Sequence, residues 1–207
     1  MNMGRRTPFM TGEYYHVFNR GVEKRPIFMD KEDYLRFLYI LNNFNTPESA
    51  FNTKKYSKKP RLYTRGRTSS KLVEIENWCF MPNHYHLCLR QLSDAGISKF
   101  LQKVMTGYTM YFNKKYKRSG VLFQGKTKSR YIDREKYLNY LHYYIDLNPL
   151  ELLYSGWKTK GVPDIRKARE YLAEYFWNKR EDYTKERFNA DKFNKAVTIL
   201  EVRPRVR

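Results

Sequence analysis

The period of the apolar pattern changes in a set order along this chain, and that order limits the fold more than any single residue does. Glu13 to Arg20 (EYYHVFNR) is rich in β-branched and aromatic residues and stops at Gly21, as a strand does. Lys31 to Phe44 carries apolar residues at 34, 35, 37, 38, 40, 41 and 44, which is helical spacing, and Asp30 stands ready to cap it. Leu72 to Met81 and Tyr85 to Gln91 read as strands. Pro82-Asn83 between them marks a turn, so the pair predicts an antiparallel hairpin. Ile97 to Tyr116 is a long amphipathic helix closed at Gly120, and Val121 to Ile132 reads as a strand with Gly125 as a bulge. Asp133 then caps a helix from Arg134 to about Leu147, stopped by Pro149. The order βαββαβ with one further helix predicts an α+β, ferredoxin-like fold: an antiparallel sheet with helices on one face.

At 207 residues the chain fits one domain with an appended segment. Residues 1–12 read as a mobile arm and 13–150 as the main domain. Residues 151–207 form a C-terminal helical extension with 14 basic and 9 acidic residues. In that extension Asp164 to Trp177 and Lys192 to Ile199 are expected helices, ahead of a basic tail from Arg203 to Arg207. Residues 45–68 read as a polar loop, and Lys54 to Arg67 holds seven basic residues and no acid.

Lys and Arg number 41 against 21 Asp and Glu, a formal charge of +20. A field of that size favours polyanions, nucleic acid first. The aromatic content of 17%, with 19 Tyr and 13 Phe, fills the core and also suits single strands, whose bases stack on rings while phosphates meet cations. From Ala95 to Ile132 there are nine basic residues and no acid, so the field concentrates in the middle of the chain. Lys126, Lys128 and Arg130 alternate on one strand face with Gln124 and can track phosphates. Lys114, Lys115, Lys117 and Arg118 form a basic helix end. Cys79 and Cys88 read as buried free thiols in a reducing cytoplasm. No N-terminal stretch resembles a signal peptide, and no run approaches the ~20 apolar residues of a membrane span. The expected location is cytoplasmic.

Two of the four histidines lie in His84-Tyr85-His86, within Met81-Pro-Asn-His-Tyr-His-Leu-Cys-Leu-Arg90. On a strand both imidazoles point the same way, about 7 Å apart along the backbone, and can converge on one cation while leaving other positions open. Cys88 shares their face, but residues 84 and 88 are separated by about 13 Å of strand, which disfavours a closed zinc site. Tyr85 points to the opposite face and belongs in the core. His16 and His142 lack ligand spacing and read as structural or exposed. Tyr144 and Asn148 lie four apart on one helix face, bringing together a phenol and a hard carbonyl ligand. Tyr140 lies one turn earlier on a similar face, and spacing alone does not choose between the two tyrosines.

Met-Pro-Asn-His-x-His-Leu, with Tyr144-Ile-Asp-Leu-Asn148-Pro149 downstream, resembles the single-tyrosine HUH transposases, in particular the REP-associated tyrosine transposases of bacteria. The resemblance extends to Tyr15-His-Val-Phe-Asn-Arg-Gly21 and Leu122-Phe-Gln-Gly-Lys126, and spans about residues 13–150. It implies a metal-dependent endonuclease and strand transferase acting on single-stranded DNA that forms hairpins. It assigns His84, His86 and Asn148 to a divalent cation, Mg²⁺ or Mn²⁺, and makes Tyr144 the nucleophile of a 5′-phosphotyrosine intermediate. The residues expected to meet DNA are Arg20, Lys54, Lys55, Lys58, Lys59, Lys114, Lys115, Gln124, Lys126, Lys128 and Arg130. Monomer and homodimer are both compatible with the resemblance. A non-catalytic, single-strand-binding regulator fits the basic and aromatic features equally. A replication initiator or relaxase-like nickase is opposed by the short chain and the lack of a helicase segment.

Overall fold

A computed structural model of the chain describes residues 8–47 and 71–175. Strand β1 (Tyr14–Arg20) is followed by α1 (Lys31–Asn43), β2 (Val73–Met81), β3 (His84–Gln91), α2 (Gly96–Lys115), β4 (Lys128–Ile132) and α3 (Glu135–Leu147). The strands form one sheet in the order β2-β3-β1-β4, and every neighbouring pair is antiparallel. This is the expected βαββαβ arrangement. Pro82 and Asn83 make the two-residue turn between β2 and β3, with Met81 paired to His84.

Strand alternation divides the sheet into two unlike faces. Tyr15, Val17, Phe80, Tyr85, Leu87 and Leu89 point to one side and are buried with Phe37 and Leu41 of α1 and Phe100, Val104 and Tyr108 of α2. Each such side chain contributes about 1.5–3 kcal/mol when fully buried, so this side holds most of the core. Tyr85 is fully buried there, and its hydroxyl donates to the Met105 sulfur at 3.2 Å.

The expectation of helices on one face holds for α1 and α2 but not for α3. The other face presents Cys79, Met81, Cys88 and Ile132, an apolar seam that needs its own cover, and Leu141 and Ile145 of α3 supply it. Both cysteines are buried and neither is in a disulfide.

The α1 cap forms as expected, with the Asp30 side chain accepting from the Asp33 backbone N–H at 3.1 Å. Lys115 at the end of α2 closes on the same place, 2.7 Å from Asp30 and 2.9 Å from Asp33. Asp33 is fully buried, so this contact ties the ends of α1 and α2 together.

The last strand is shorter than its pattern suggests. Leu122 and Phe123 are buried in the main core, the backbone N–H of Gln124 donates to the Arg20 carbonyl, and Gly125 then turns the chain at φ +65° before β4 begins. Arg134, not Asp133, occupies the position before α3 and makes no side-chain cap. Of the arm expected over residues 1–12, the described part is bound to the sheet. Gly12 N–H donates to Gln91 O, the Gln91 side chain donates to Phe9 O, and Phe9 packs on the core.

Beyond α3 the chain makes single turns α4 (Leu150–Leu153) and α5 (Trp157–Lys160) and then α6 (Ile165–Glu174), which Asp164 caps. Leu147, Leu150, Trp157 and Ala168 form a second buried cluster, so this part of the extension packs back on α3. Among the described residues no helix is long and apolar enough to cross a membrane. The basic run Lys54–Arg67, the expected helix over 192–199 and the tail from 203 lie outside the described residues.

Gly21 fixes how the end of β1 meets the turn before His84. Its N–H donates to Asn83 O at 2.8 Å, and a Cβ at this position would stand 2.1 Å from the Arg25 carbonyl oxygen. That oxygen belongs to the backbone and cannot swing aside. Gly21→Ala is therefore expected to cost about 1–3 kcal/mol, measured as a lower midpoint in urea unfolding with unchanged slope.

Candidate active site

The seam under α3 runs into a cluster of rings and amides. Arg20 pairs with His84, Phe18 with His86 and with Lys128, and His16 with Arg130, so all seven share the face that α3 covers. The Tyr144 ring meets the His86 ring at 5.3 Å and the His16 ring at 5.8 Å between centroids. Tyr140 stacks behind it at 6.4 Å, with Tyr137 a further 5.8 Å along. The fold thus separates the two tyrosines that spacing left equivalent.

What seats α3 is a buried polar contact. The chain bulges between Ile75 and Asn77, and the Asn77 side chain donates to Asp146 at 2.8 Å. Asn148 follows with helical backbone angles (φ −55°, ψ −36°), so Tyr144 and Asn148 do face the same way.

Hydrogen bonding orients the donors toward one another. The Asn83 amide nitrogen donates to Lys24 O at 3.1 Å, which leaves its oxygen to accept from His84 Nδ1–H at 2.7 Å. His84 Nε2 then carries the lone pair. It faces Asn148 Oδ1 at 3.2 Å, and the Asn148 amide nitrogen has no hydrogen-bond partner among the described residues. His84 Nε2 and Asn148 Oδ1 thus lie close enough for one cation to meet both. His86 Nδ1 is bonded to His16 Nε2 at 2.9 Å, which restrains the His86 ring as outer-shell partners restrain metal-binding imidazoles. The donor chemistry of His84, His86 and Asn148 therefore fits a divalent ion. It depends on the amide, since among the described residues no group of three or more His, Cys, Asp or Glu is placed to hold a metal.

The electrostatics keep the imidazoles neutral, the form in which they ligate. Burial, aided by the charges of Arg130 and Lys158, pushes His16 down to about 3. Burial also lowers His86 far below its ordinary value, with His16, His84 and Lys158 adding to the effect. His84 is lowered by burial and partly restored by its contact with Asn148. Burial raises the Tyr144 phenol, and Asn148 tempers that rise.

The expected DNA-contacting residues are distributed unevenly. Lys128 and Arg130 line a cleft of about 790 Å³ with His16, Phe18, Tyr140 and Tyr144. Arg130 lies over the Tyr137 ring at 5.5 Å. Arg20 is next to His84 in the register, and its guanidinium donates to Gln124. Lys126 lines a separate groove beside α2. Lys114 and Lys115 sit on the helix layer across the sheet, Lys115 bound by Asp30 and Asp33. Lys54, Lys55, Lys58 and Lys59 lie outside the described residues.

Sequence reasoning missed His16, Asn77, Asp146 and Lys158. Alternation along β1, combined with antiparallel pairing to β3, was the available signal for His16. Nothing in the pattern marked Lys158, whose Nζ stands 4.3 Å from the centre of the Tyr144 ring.

The fold defines the class: an α+β, ferredoxin-like sheet whose second face, bearing histidines, is closed by an extra helix. The chain belongs to the IS200-like transposase family, whose model, described as "Transposase IS200 like", matches residues 44–148. A solved structure described as "Structure of the REP associates tyrosine transposase bound to a REP hairpin" is similar, with a TM-score of 0.51 and 15% identity over 86% of this chain and 82% of that one. At that identity the likeness is one of fold. No curated protein gives a match.

The neutral imidazoles make stability depend on pH. Below the ordinary value of 6.5 the unfolded chain takes up a proton that His16 refuses until about 3. The unfolded state thus binds more protons across that window, and stability is full above it and falls as pH drops through it. Metal-free protein is expected to melt progressively lower from pH 6.5 to 5, above the main carboxylate range. His16→Gln keeps a hydrogen-bonding group without the titration and is expected to make that slope shallower in calorimetry, the remainder coming from His84 and His86.

Proposed function

We propose that this transposase is a metal-dependent endonuclease and strand transferase for single-stranded DNA. The observation that carries the reading is the meeting of Tyr144 with His86 at 5.3 Å while Asn148 Oδ1 faces His84 Nε2 at 3.2 Å. When bound by His84, His86 and Asn148, Mg²⁺ or Mn²⁺ would act as a Lewis acid on an oxygen of the scissile phosphate.

The chain's own groups supply the rest. The Tyr144 oxygen attacks phosphorus, the Oη–P bond forms and the P–O3′ bond breaks. The phenol gives up its proton, and the departing 3′ oxygen ends as a hydroxyl. The product is a 5′-phosphotyrosine diester with its bond energy retained, so a second 3′-hydroxyl can displace Tyr144 without ATP. Asn148 sits one turn from the nucleophile and tempers the burial that would hold the phenol neutral. His16 restrains the His86 ring. Lys128 and Arg130 offer charge, and Phe18 and Tyr140 offer ring faces, along the cleft that leads to Tyr144.

The substrate is proposed to be a strand that folds into hairpins. The similar structure carries a REP hairpin, which supports that choice. A labelled hairpin with single-stranded flanks, incubated with Mn²⁺, is expected to give a covalent adduct that survives denaturing electrophoresis. Tyr144→Phe is expected to abolish the adduct while leaving hairpin affinity within about twofold, and EDTA is expected to abolish it in wild-type protein. Binding that ignores EDTA, with no adduct under any condition, would mean a non-catalytic DNA-binding regulator instead.

A further inference from the structure

We propose that Lys158 is a positioning residue of the active site, holding the Tyr144 ring against His86 and keeping a fixed positive charge beside the phenol. This rests on Tyr144 being the nucleophile and adds a group from outside the family match, which ends at residue 148.

The placement is built rather than incidental. Trp157, the neighbour of Lys158, is buried with Leu147, Leu150 and Ala168, so α5 is anchored to the end of the helix that carries Tyr144. Gly156 enters α5 at φ +75°, and its N–H is held by the Glu151 carboxylate at 3.0 Å. Gly161 N–H donates to Trp157 O at 2.9 Å and closes the turn. From this turn the half-buried Lys158 reaches inward, its Nζ 4.3 Å from the Tyr144 ring centre and 5.8 Å from that of Trp157.

A cation over a ring face is attracted by the ring's quadrupole, most strongly where water is excluded. Here the contact restrains the one phenol of α3 whose ring meets both His16 and His86. The charge of Lys158 also reaches the imidazoles, contributing to the lowering of His16, His84 and His86. A cation held over the ring limits the orientations open to the phenol, which favours a single attacking geometry.

The test uses the full chain with Mn²⁺ and a labelled hairpin-bearing strand under single-turnover conditions. Lys158→Met is expected to slow adduct formation at least tenfold. Hairpin affinity in EDTA should stay within twofold and the melting temperature should be unchanged. Lys158→Arg is expected to recover a third or more of the rate, because it restores a cation over the ring. If Lys158→Met does not melt cooperatively, Lys158→Gln replaces it with a polar side chain. A wild-type rate in the neutral variant overturns the inference alone. So does an equal loss in the neutral and arginine variants, which would mean that only the packing of α5 matters. An adduct that persists in Tyr144→Phe, or no adduct in wild-type protein, overturns the nucleophile reading and this inference with it.

Discussion

Helix α3 is held to the sheet by an apolar seam and a buried polar contact, and the site exists only while both persist. Leu141 and Ile145 press on Cys79, Met81, Cys88 and Ile132, which contributes non-directional burial energy. That energy alone would tolerate a slide along the sheet. The hydrogen bond from Asn77 to Asp146 does not, because a shifted helix would break it between two buried side chains, and a buried hydrogen bond contributes about 0.5–1.5 kcal/mol, more where one partner is charged. Asp146 lies between Tyr144 and Asn148 in the chain, so the contact that sets the register also aims the phenol and the amide. The bulge that turns Asn77 toward α3 thus belongs to the site as much as the histidines do.

Two buried imidazoles and a half-buried third, in a chain of net charge +20, would be costly if they were charged. Burial and the surrounding cations both act to keep them neutral, so the field that draws a polyanion also preserves the lone pairs of His84 and His86. On the proposed reading, the two demands of a phosphodiester site, an attractive surface and unprotonated ligands, would be met by the same excess of Lys and Arg. A donor set of two imidazoles and a carboxamide carries no charge of its own, so it would not repel a phosphate.

Much of this was legible in the chain, because periodicity reports which face a side chain takes. The alternation that put His84 and His86 together also put Tyr85 in the core, and the four-residue step correctly joined Tyr144 to Asn148. What periodicity does not carry is the sheet onto which a face is folded. His16 read as an isolated residue because its partner is seventy positions away, on a strand whose register sequence alone does not give. The helix expected from Arg134 to about Leu147 was placed beside its predecessors, since nothing local states that the second face of the sheet is also apolar. The run from Val121 read as one strand because Gly125 looked like a bulge, whereas its positive φ breaks the strand. Lys115 read as a phosphate contact because the acids that bind it, Asp30 and Asp33, lie more than eighty residues upstream.

The boundary at residue 150 was the least physical of the expectations. It followed a change in composition and a proline, and both are real, but Pro149 ends one helix and opens the next turn directly. Leu147 and Leu150 lie on either side of that boundary and are buried together with Trp157 and Ala168. A chain cut at Pro149 would return Leu147 to water at the turn that bears Asn148, and would remove the Lys158 ammonium from the Tyr144 ring. A helix end frays unless something packs against it. Here the packing comes from residues 150–175, so the precision with which Tyr144 and Asn148 meet the histidines depends on a segment that composition alone sets apart.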